Sequence, residues 1–313
     1  KTAGKCCGGL LAPDAQKMIA RLGLGIPKNL LVDPQLFAVR TIDLNHHLEQ
    51  LYQRFYINID RTNFDRWLVS LIPANVEKKF SANFMGFTKV RSGYKVSYLL
   101  GKQVMTANTR IIVGADGASS RVRHLMGKIV AKPEKYIALQ EWFECSSKIP
   151  YYTAVFDKEI TDFYSWLIPK DNYLLLGSAL RPGENPKVKY KSLQKKLESY
   201  GFDFHNKIKT ESAFINRPVN TSQLYTGKGN IALIGEASGA ISPSSAEGIS
   251  YALKSSLYLA ESLEKGLDGY FERYHKRMMD IRFNLLLKNL KSPIMYDPYL
   301  RYLAMKSGLQ SIR

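Results

Sequence analysis

Residues 229–253 read GNIALIGEASGAISPSSAEGISYAL. The stretch opens on an apolar run, Ile231 to Ile234, with the length and composition of a strand buried in a sheet. It breaks at Gly235, Glu236, Ala237, Ser238 and Gly239, and after Ser242-Pro243 it resumes with helical spacing from Ala246 to Leu263. One carboxylate among very small residues, between a strand and a helix, marks a place where something bulky approaches the main chain. In open α/β sheets such a place, at the carboxyl end of a strand, is where ligands bind. Gly235 lets the backbone turn, Glu236 offers acceptors to sugar hydroxyls, and Pro243 fixes the loop. Ser244 with Glu247 reads as a capping box, so that the positive end of the following helix faces the ligand. A plain strand–turn–helix, with glycine for tightness, accounts for the same letters.

A second stretch repeats the pattern. IIVGADGASSRVR, residues 111–123, is a buried-strand run ending in Gly114, followed by Asp116, Gly117, Ser119, Ser120, Arg121 and Arg123. Two strand–glycine–acid turns can approach one extended ligand from different sides.

The 313 residues suggest two domains. A hydrophobic share of 45% and a charged share of 23% are those of a folded globular chain. No run reaches the ~18 apolar residues of a membrane span, and no secretory leader is recognisable. Lys and Arg number 45 against 27 Asp and Glu, a net charge of +18 that favours anionic partners such as phosphorylated substrates or anionic lipid, if it is more than a general richness in lysine. Nucleic acid is set aside, because the basic residues form no recognised module. Three cysteines make no disulfide framework, which suits the cytoplasm. His46-His47 has no metal-ligand spacing, and no Walker loop, zinc pattern or Ser–His–Asp set is present.

Periodicity predicts helices over 13–22, 62–72, 189–202 and most of 246–291, with strand-like runs over 36–59, in several pieces from 75 to 113 (93–100 among them), over 109–117 as a buried-strand run ending in glycine, and over 134–181 and 230–234. The expected fold is mixed α/β, a nucleotide-binding half with a β-rich domain inserted in pieces.

The two turns carry a resemblance. GADGASSRVR resembles the DG motif, and residues 229–253 the GD motif, of flavoprotein hydroxylases and their relatives. Lys5-Cys6-Cys7-Gly8-Gly9-Leu10 resembles the K-x-C-G-G stretch of the geranylgeranyl reductase family, and Tyr164 to Lys170, with Gly177 after it, that family's Y-x-W-x-x-P-K segment. Arg61 and Asp65 match an R-x-x-F-D pattern of these flavoproteins, and LKSPIMYDPYLRYLAMKSGL (290–309) resembles a bacterial branch. The matches run in order along nearly the whole chain.

The resemblance implies a para-hydroxybenzoate-hydroxylase-like fold. A three-layer FAD-binding domain (1–25, 60–128 and 222–266) would carry an inserted β-rich substrate domain (26–59 and 129–221) and a helical C-terminal segment (267–313). It implies FAD held by Arg61, Asp116, Gly117, Gly235, Glu236, Pro243, Ala246, Glu247, Gly248 and Ile249, with Cys7 facing the flavin as the catalytic residue, to tune the ring or help deliver a proton. Tyr164 and Trp166 alternate on one strand face and, by resemblance, line an apolar substrate cavity. Each has a plainer reading: a surface ion pair for Arg61, a small residue in a tight turn for Cys7, aromatic core for Tyr164 and Trp166.

The implied activity is reduction of carbon–carbon double bonds in an isoprenoid or similar lipid, with NAD(P)H or another donor as reductant and no recognisable motif for it. A flavin monooxygenase and a non-catalytic lipid-binding relative are the rivals on the same fold. Residues 270–291 form a basic amphipathic helix that either lies against anionic headgroups or packs with a solvated basic face, so a cytoplasmic protein peripheral to the inner membrane face is expected. Two departures stand out. Glu236 replaces the usual Asp, moving the carboxylate about an ångström outward. No G-x-G-x-x-G is found, since GLGIPK (23–28) lacks the third glycine and follows no strand; the resemblance places that βαβ unit ahead of Lys1.

Overall fold

A computed structural model describes residues 6–127, 131–147 and 149–308. Lys5 of the K-x-C-G-G stretch and Leu309 of the last quoted segment lie outside the described residues. In chain order the described residues form β1 (Leu10–Leu11), α1 (Pro13–Arg21), β2 (Leu36–Asp43), β3 (Leu48–Asn58), α2 (Arg61–Ser70), β4 (Ala82–Val90), β5 (Gly93–Leu100), β6 (Gln103–Thr109), β7 (Ile112–Gly114), α3 (Arg121–Leu125), β8 (Glu134–Glu144), β9 (Tyr152–Phe156), β10 (Ser165–Lys170), β11 (Tyr173–Leu180), α4 (Pro186–Glu198), β12 (Lys207–Arg217), β13 (Gly227–Lys228), β14 (Ile231–Leu233), α5 (Ile249–Leu263), α6 (Tyr270–Tyr296) and α7 (Pro298–Lys306). The fold is mixed α/β with a helical C-terminal part, as the alternating patterns imply.

The chain packs as two compact units. The first holds residues up to Leu68, Lys135–Ile215, and the chain from Leu290 onward. Its frame is an eight-stranded sheet in the order β1-β3-β2-β9-β10-β11-β8-β12. Because Leu10 and Leu11 pair with Asn58 and Ile57, the described start of the chain lies on the edge of this sheet. Helix α4 covers one face. Pro186 sets its first turn, and Tyr190, Leu193 and Leu197, at helical spacing, pack on Ile42, Val155, Leu167 and Leu176. Full burial of Leu193 and Leu197 stabilises this contact by about 1.5–3 kcal/mol each.

The second unit comprises Val69–Glu134 and Asn216–Asn289. Its sheets are β13-β14-β7 and the antiparallel meander β4-β5-β6. Phe84, Phe87 and Val96 of the meander pack on Ile112, Val122, Ile231 and Leu233. On another side Tyr251, Tyr258 and Leu259 of α5 share a core with Tyr274, Met278 and Ile281 of α6. No helix among the described residues is long and apolar enough to cross a membrane.

Candidate functional site

In the second unit β7 and β14 run parallel, with Ile231, Ala232 and Leu233 opposite Ile112, Val113 and Gly114. The two acid-bearing turns therefore leave neighbouring strands at the same, carboxyl, end. Asn216 ties them together: its backbone N–H donates to Glu236 Oε1 at 2.8 Å, and its side-chain Nδ2 donates to Ala118 O at 3.2 Å. Arg123, reaching over from α3, donates to Ala237 O at 3.3 Å and to Gln223 O at 2.9 Å. Burial pulls the Arg123 pKa below its ordinary value.

Asp116 spends its carboxylate locally. Oδ1 accepts from Ser120 Oγ at 2.5 Å, and Oδ2 accepts from the N–H groups of Arg121 and Val122 at 2.7 and 3.1 Å. It thus holds the start of α3 and the shape of the turn. Gly117 follows with φ +74, and a Cβ built there meets nothing within 4 Å. Beside the turn, an apolar cleft of about 410 Å³ is lined by Phe84, Val96, Ile112, Val113, Asp116 and Val122.

Gly235 has φ +53, and its N–H donates to Ser255 Oγ of α5 at 2.8 Å, which seats the Glu236 turn on that helix. The loop through Pro243 is fixed by Arg217, whose Nε donates to Pro243 O at 3.2 Å, and by Ala246 with φ 49. The expected Ser244–Glu247 capping box does not form. Helix α5 starts at Ile249, and Glu247 instead accepts from Ser250 N at 2.8 Å and Ser250 Oγ at 2.5 Å. The Ser244 hydroxyl lies 3.3 Å from that of Ser242. At Gly248, which has no side-chain cap, the nearest atoms to a built Cβ are 3.7 Å away on Ile241. A 15-residue helix thus begins with its positive end beside two glycine-lined turns. Gly117 and Gly248 leave the space in which a ring or phosphate can approach the backbone, so these residues fit a dinucleotide.

The first unit carries the other predicted residues. Cys7 Sγ accepts from Gly9 N–H and from Arg61 Nη1, each at 3.4 Å, and Arg61 Nε donates to Asp65 Oδ1 at 2.9 Å. Burial disfavours the Arg61 charge, but Cys7 and Asp65 outweigh it and the pKa lies above the ordinary value. Neighbouring Cys6 differs: burial, then Glu211, pushes its thiol up to about 12. Tyr164 and Trp166 stand together, ring centroids 5.5 Å apart, within an aromatic group that includes Phe156, Phe163 and Tyr296.

Sequence reasoning assigned no role to Lys170, which closes the Cys7 turn from below. Its Nζ donates to Gly9 O at 3.0 Å, Asn58 Oδ1 at 2.5 Å and Ile59 O at 2.9 Å. Gly9, with φ +61, admits no Cβ: the atom would stand 2.5 Å from Ile59 O and 2.7 Å from Nζ. Burial pulls the amine from 10.5 to about 7, against the partial support of Cys7, Asp60 and Asp171. Between those values the unfolded chain keeps the proton and the folded chain sheds it, so stability rises with pH across that window. Urea unfolding at pH 7 and pH 9 should show the wild type gaining about 2 kcal/mol more than Lys170→Met over the interval. Equal pH slopes in the two proteins would remove Lys170 as the cause.

No family model matches the chain. Over 309 residues it is 39% identical to Protein CbrA of Escherichia coli O9:H4 (strain HS), covering 98% of this chain and 84% of the relative. The chain belongs to the CbrA family. Protein CbrA of Shigella sonnei (strain Ss046) is likewise 39% identical, over 98% of this chain and 86% of its own. Among solved structures, a geranylgeranyl bacteriochlorophyll reductase-like protein of Thermoplasma acidophilum superposes with a TM-score of 0.81 at 16% identity, over 96% of this chain and 81% of that one. The Pseudomonas aeruginosa protein pqsL, a probable FAD-dependent monooxygenase, gives 0.71 at 15% identity, over 98% and 90%. Klebsiella pneumoniae HpxO, crystallised with FAD and uric acid, gives 0.66 at 15%, over 97% and 84%. This CbrA-family chain therefore has the para-hydroxybenzoate-hydroxylase-like flavoprotein fold.

Proposed function

We propose that this protein is an FAD-dependent oxidoreductase that reduces carbon–carbon double bonds of an isoprenoid or similar lipid. One observation carries the cofactor: two acid-bearing turns leave parallel neighbours β7 and β14 at the same end, joined by Asn216 and followed by the α5 N-terminus. Glu236 and the residues 243–249 are its holders, with Gly117 and Gly235 giving the backbone its shape, Asp116 fixing the first turn and Arg61 contributing a planar donor. Bound FAD supplies a two-electron redox centre.

The chain's own residues do the rest. Cys7 lies in a turn whose position is set by Arg61 and Lys170. Tyr164 and Trp166 form part of the face for the substrate chain. The net change adds two electrons and two protons to an alkene: the π bond breaks and two C–H bonds form, with NAD(P)H or another donor as the electron source. The likeness of the Thermoplasma acidophilum protein, closer than that of pqsL or HpxO, supports the reductase reading over the monooxygenase one. The protein works at an anionic membrane surface, on the cytoplasmic side, where such lipids are found.

The full-length protein should be yellow, with the visible absorption of bound FAD. Reduced anaerobically and mixed with geranylgeraniol, it should reoxidise while the product gains two hydrogens per double bond in the mass spectrum. Oxygen-dependent hydroxylation without anaerobic turnover would replace this reading with the monooxygenase. A colourless full-length protein would overturn the enzyme altogether.

A further inference from the structure

One row of the large sheet holds two buried polar atoms with nothing to bond. Trp166 pairs with Gly177, and Gly177 with Gln140, across β10, β11 and β8. The indole lies over the glycine, so closely that a Cβ at 177 would stand 2.2 Å from Nε1. Trp166 Nε1 and Gln140 Oε1 are both buried without a partner among the described residues. Trp166 is 8% exposed and Gln140 0%. The orientation of the Gln140 amide is set by its other end, since Nε2 donates to Glu211 Oε2 at 3.2 Å and to Cys7 O at 3.4 Å. Flipping it would set oxygen against two oxygens.

Buried polar atoms in folded proteins are nearly always satisfied. Here one is a donor and one an acceptor. Neighbouring strands lie about 4.8 Å apart, so an indole nitrogen above Gly177 sits about one strand spacing from the Gln140 strand. A hydroxyl is the smallest group that accepts from an N–H and donates to a carbonyl at once. On the Trp166 side the surroundings are apolar and aromatic, with the Tyr164 ring 5.5 Å from the indole and Ile168 two residues along β10, while the Glu211 carboxylate holds the far end of the Gln140 amide.

We propose that this row is the site for the hydroxyl of a lipophilic alcohol, which accepts from Trp166 Nε1 and donates to Gln140 Oε1 while its hydrocarbon lies along the aromatic face. The inference rests on reading this face as the substrate side of the proposed reductase, and it adds which end of the substrate is polar and where that end is held.

The test uses the full-length protein, its FAD content read first from the visible spectrum. Binding of geranylgeraniol and of geranylgeranyl methyl ether, which accepts but cannot donate, is compared by calorimetry in one detergent. The wild type should prefer the alcohol about tenfold. Gln140→Leu should bring the preference close to unity and leave affinity for the ether within about twofold, whereas Trp166→Phe, which removes the donor to both probes, should weaken both by about tenfold and keep the preference. Should Gln140→Leu fail to fold, Trp166→Phe decides the matter through the loss of affinity for both probes, because it keeps an aromatic ring over Gly177. Equal binding of the two probes by the wild type overturns the proposal, as does binding of neither. A preference that survives in folded Gln140→Leu overturns it too, as does unchanged affinity for both probes in folded Trp166→Phe, and either leaves water as the occupant. A yellow protein that binds and reduces alcohol and ether alike keeps the reductase and loses the hydroxyl site; a colourless protein that still prefers the alcohol does the reverse.

Discussion

Phe283→Glu combined with Leu287→Glu is expected to lower partition onto vesicles rich in anionic lipid about 100-fold, with the urea midpoint unchanged. Helix α6 is apolar on two opposite faces. Tyr274, Met278, Ile281 and Leu285 recur at helical spacing and are buried in the core of the second unit. Met279, Phe283, Leu286 and Leu287 recur at the same spacing on the other side, and there Phe283 is 60% exposed and Met279 49%. The second stripe leaves large apolar side chains in contact with water. Exposed Lys276 stands one turn before Met279 on the same side, and the chain carries +18. An anionic surface is the cover that these charges would favour, and the expected result tests it.

Burying a Phe and a Leu side chain is each worth about 1.5–3 kcal/mol, and 1.4 kcal/mol is tenfold, so losing both gives the stated factor before repulsion of the new carboxylates is counted. Sedimentation with vesicles of phosphatidylserine and of phosphatidylcholine measures it. The wild type should bind the first far better, and less so as salt rises. Equal binding of the double variant would remove the membrane. Concentration-dependent dimers in the wild type, abolished by the substitutions, would assign the stripe to a second copy of the chain.

What could be read in the letters, and what could not, follows from the range of the interactions. The Ile231–Ile234 run and its Gly-Glu break are local, and strand β14 and its turn appear where the pattern puts them. So does the hairpin strand Gly93–Leu100. The other acid turn was visible too, but the work of its carboxylate was not. Asp116 reaches Ser120, Arg121 and Val122, an arrangement that only the folded turn at Gly117 produces.

The start of α5 was misread for a related reason. Ser244 and Glu247 have capping-box spacing, yet Arg217 and the positive φ of Ala246 hold the loop apart from the helix, and Glu247 caps Ser250 instead. Asn216 was missed entirely, because an Asn near a strand end has no signature; its importance lies in meeting two turns that are distant in the chain. The same holds for Gln140 and Lys170, each of which finds its partners on two segments distant in the chain. Residues 270–291 read as a basic amphipathic helix, but only packing reveals which apolar side chains remain uncovered.

Arg301→Ala is expected to destabilise the first unit by about 3–5 kcal/mol, the cost of leaving a buried charge without its partner. Asp43 on β2 is fully buried, and Arg301 on α7 is 5% exposed. Nη2 donates to Asp43 Oδ1 at 2.9 Å and to Asn45 Oδ1 at 3.1 Å, Nη1 donates to Met295 O at 2.8 Å, and the guanidinium lies 4.9 Å from the centroid of the Phe156 ring. Burial alone would raise the Asp43 pKa, but hydrogen bonds from Arg301 and His46 override it, and the carboxyl lies below its ordinary value.

The sign of the pH effect follows. The pair's stabilisation is present above the ordinary carboxyl range and is lost as pH falls through the lowered value. In Arg301→Ala the carboxylate keeps its burial and loses its main donor, so its pKa rises and protonation becomes the easier way to relieve it. The difference between wild type and variant, measured by urea unfolding, should therefore be largest near neutrality and should narrow as the pH is brought to about 4. Replacing both partners, Asp43→Asn with Arg301→Met, should recover most of the loss, because no uncompensated charge is then left buried. A single variant costing under about 1 kcal/mol at pH 7 would mean that water reaches Asp43 and does the work of the arginine. The pair also bears on function through geometry. The same segment sets Tyr296 against Phe156 and Phe163, which in turn touch Tyr164. Loosening Arg301 should thus unsettle the aromatic face that borders Trp166, and affinity for the alcohol and the ether alike should fall in Arg301→Ala even under conditions where the protein remains folded.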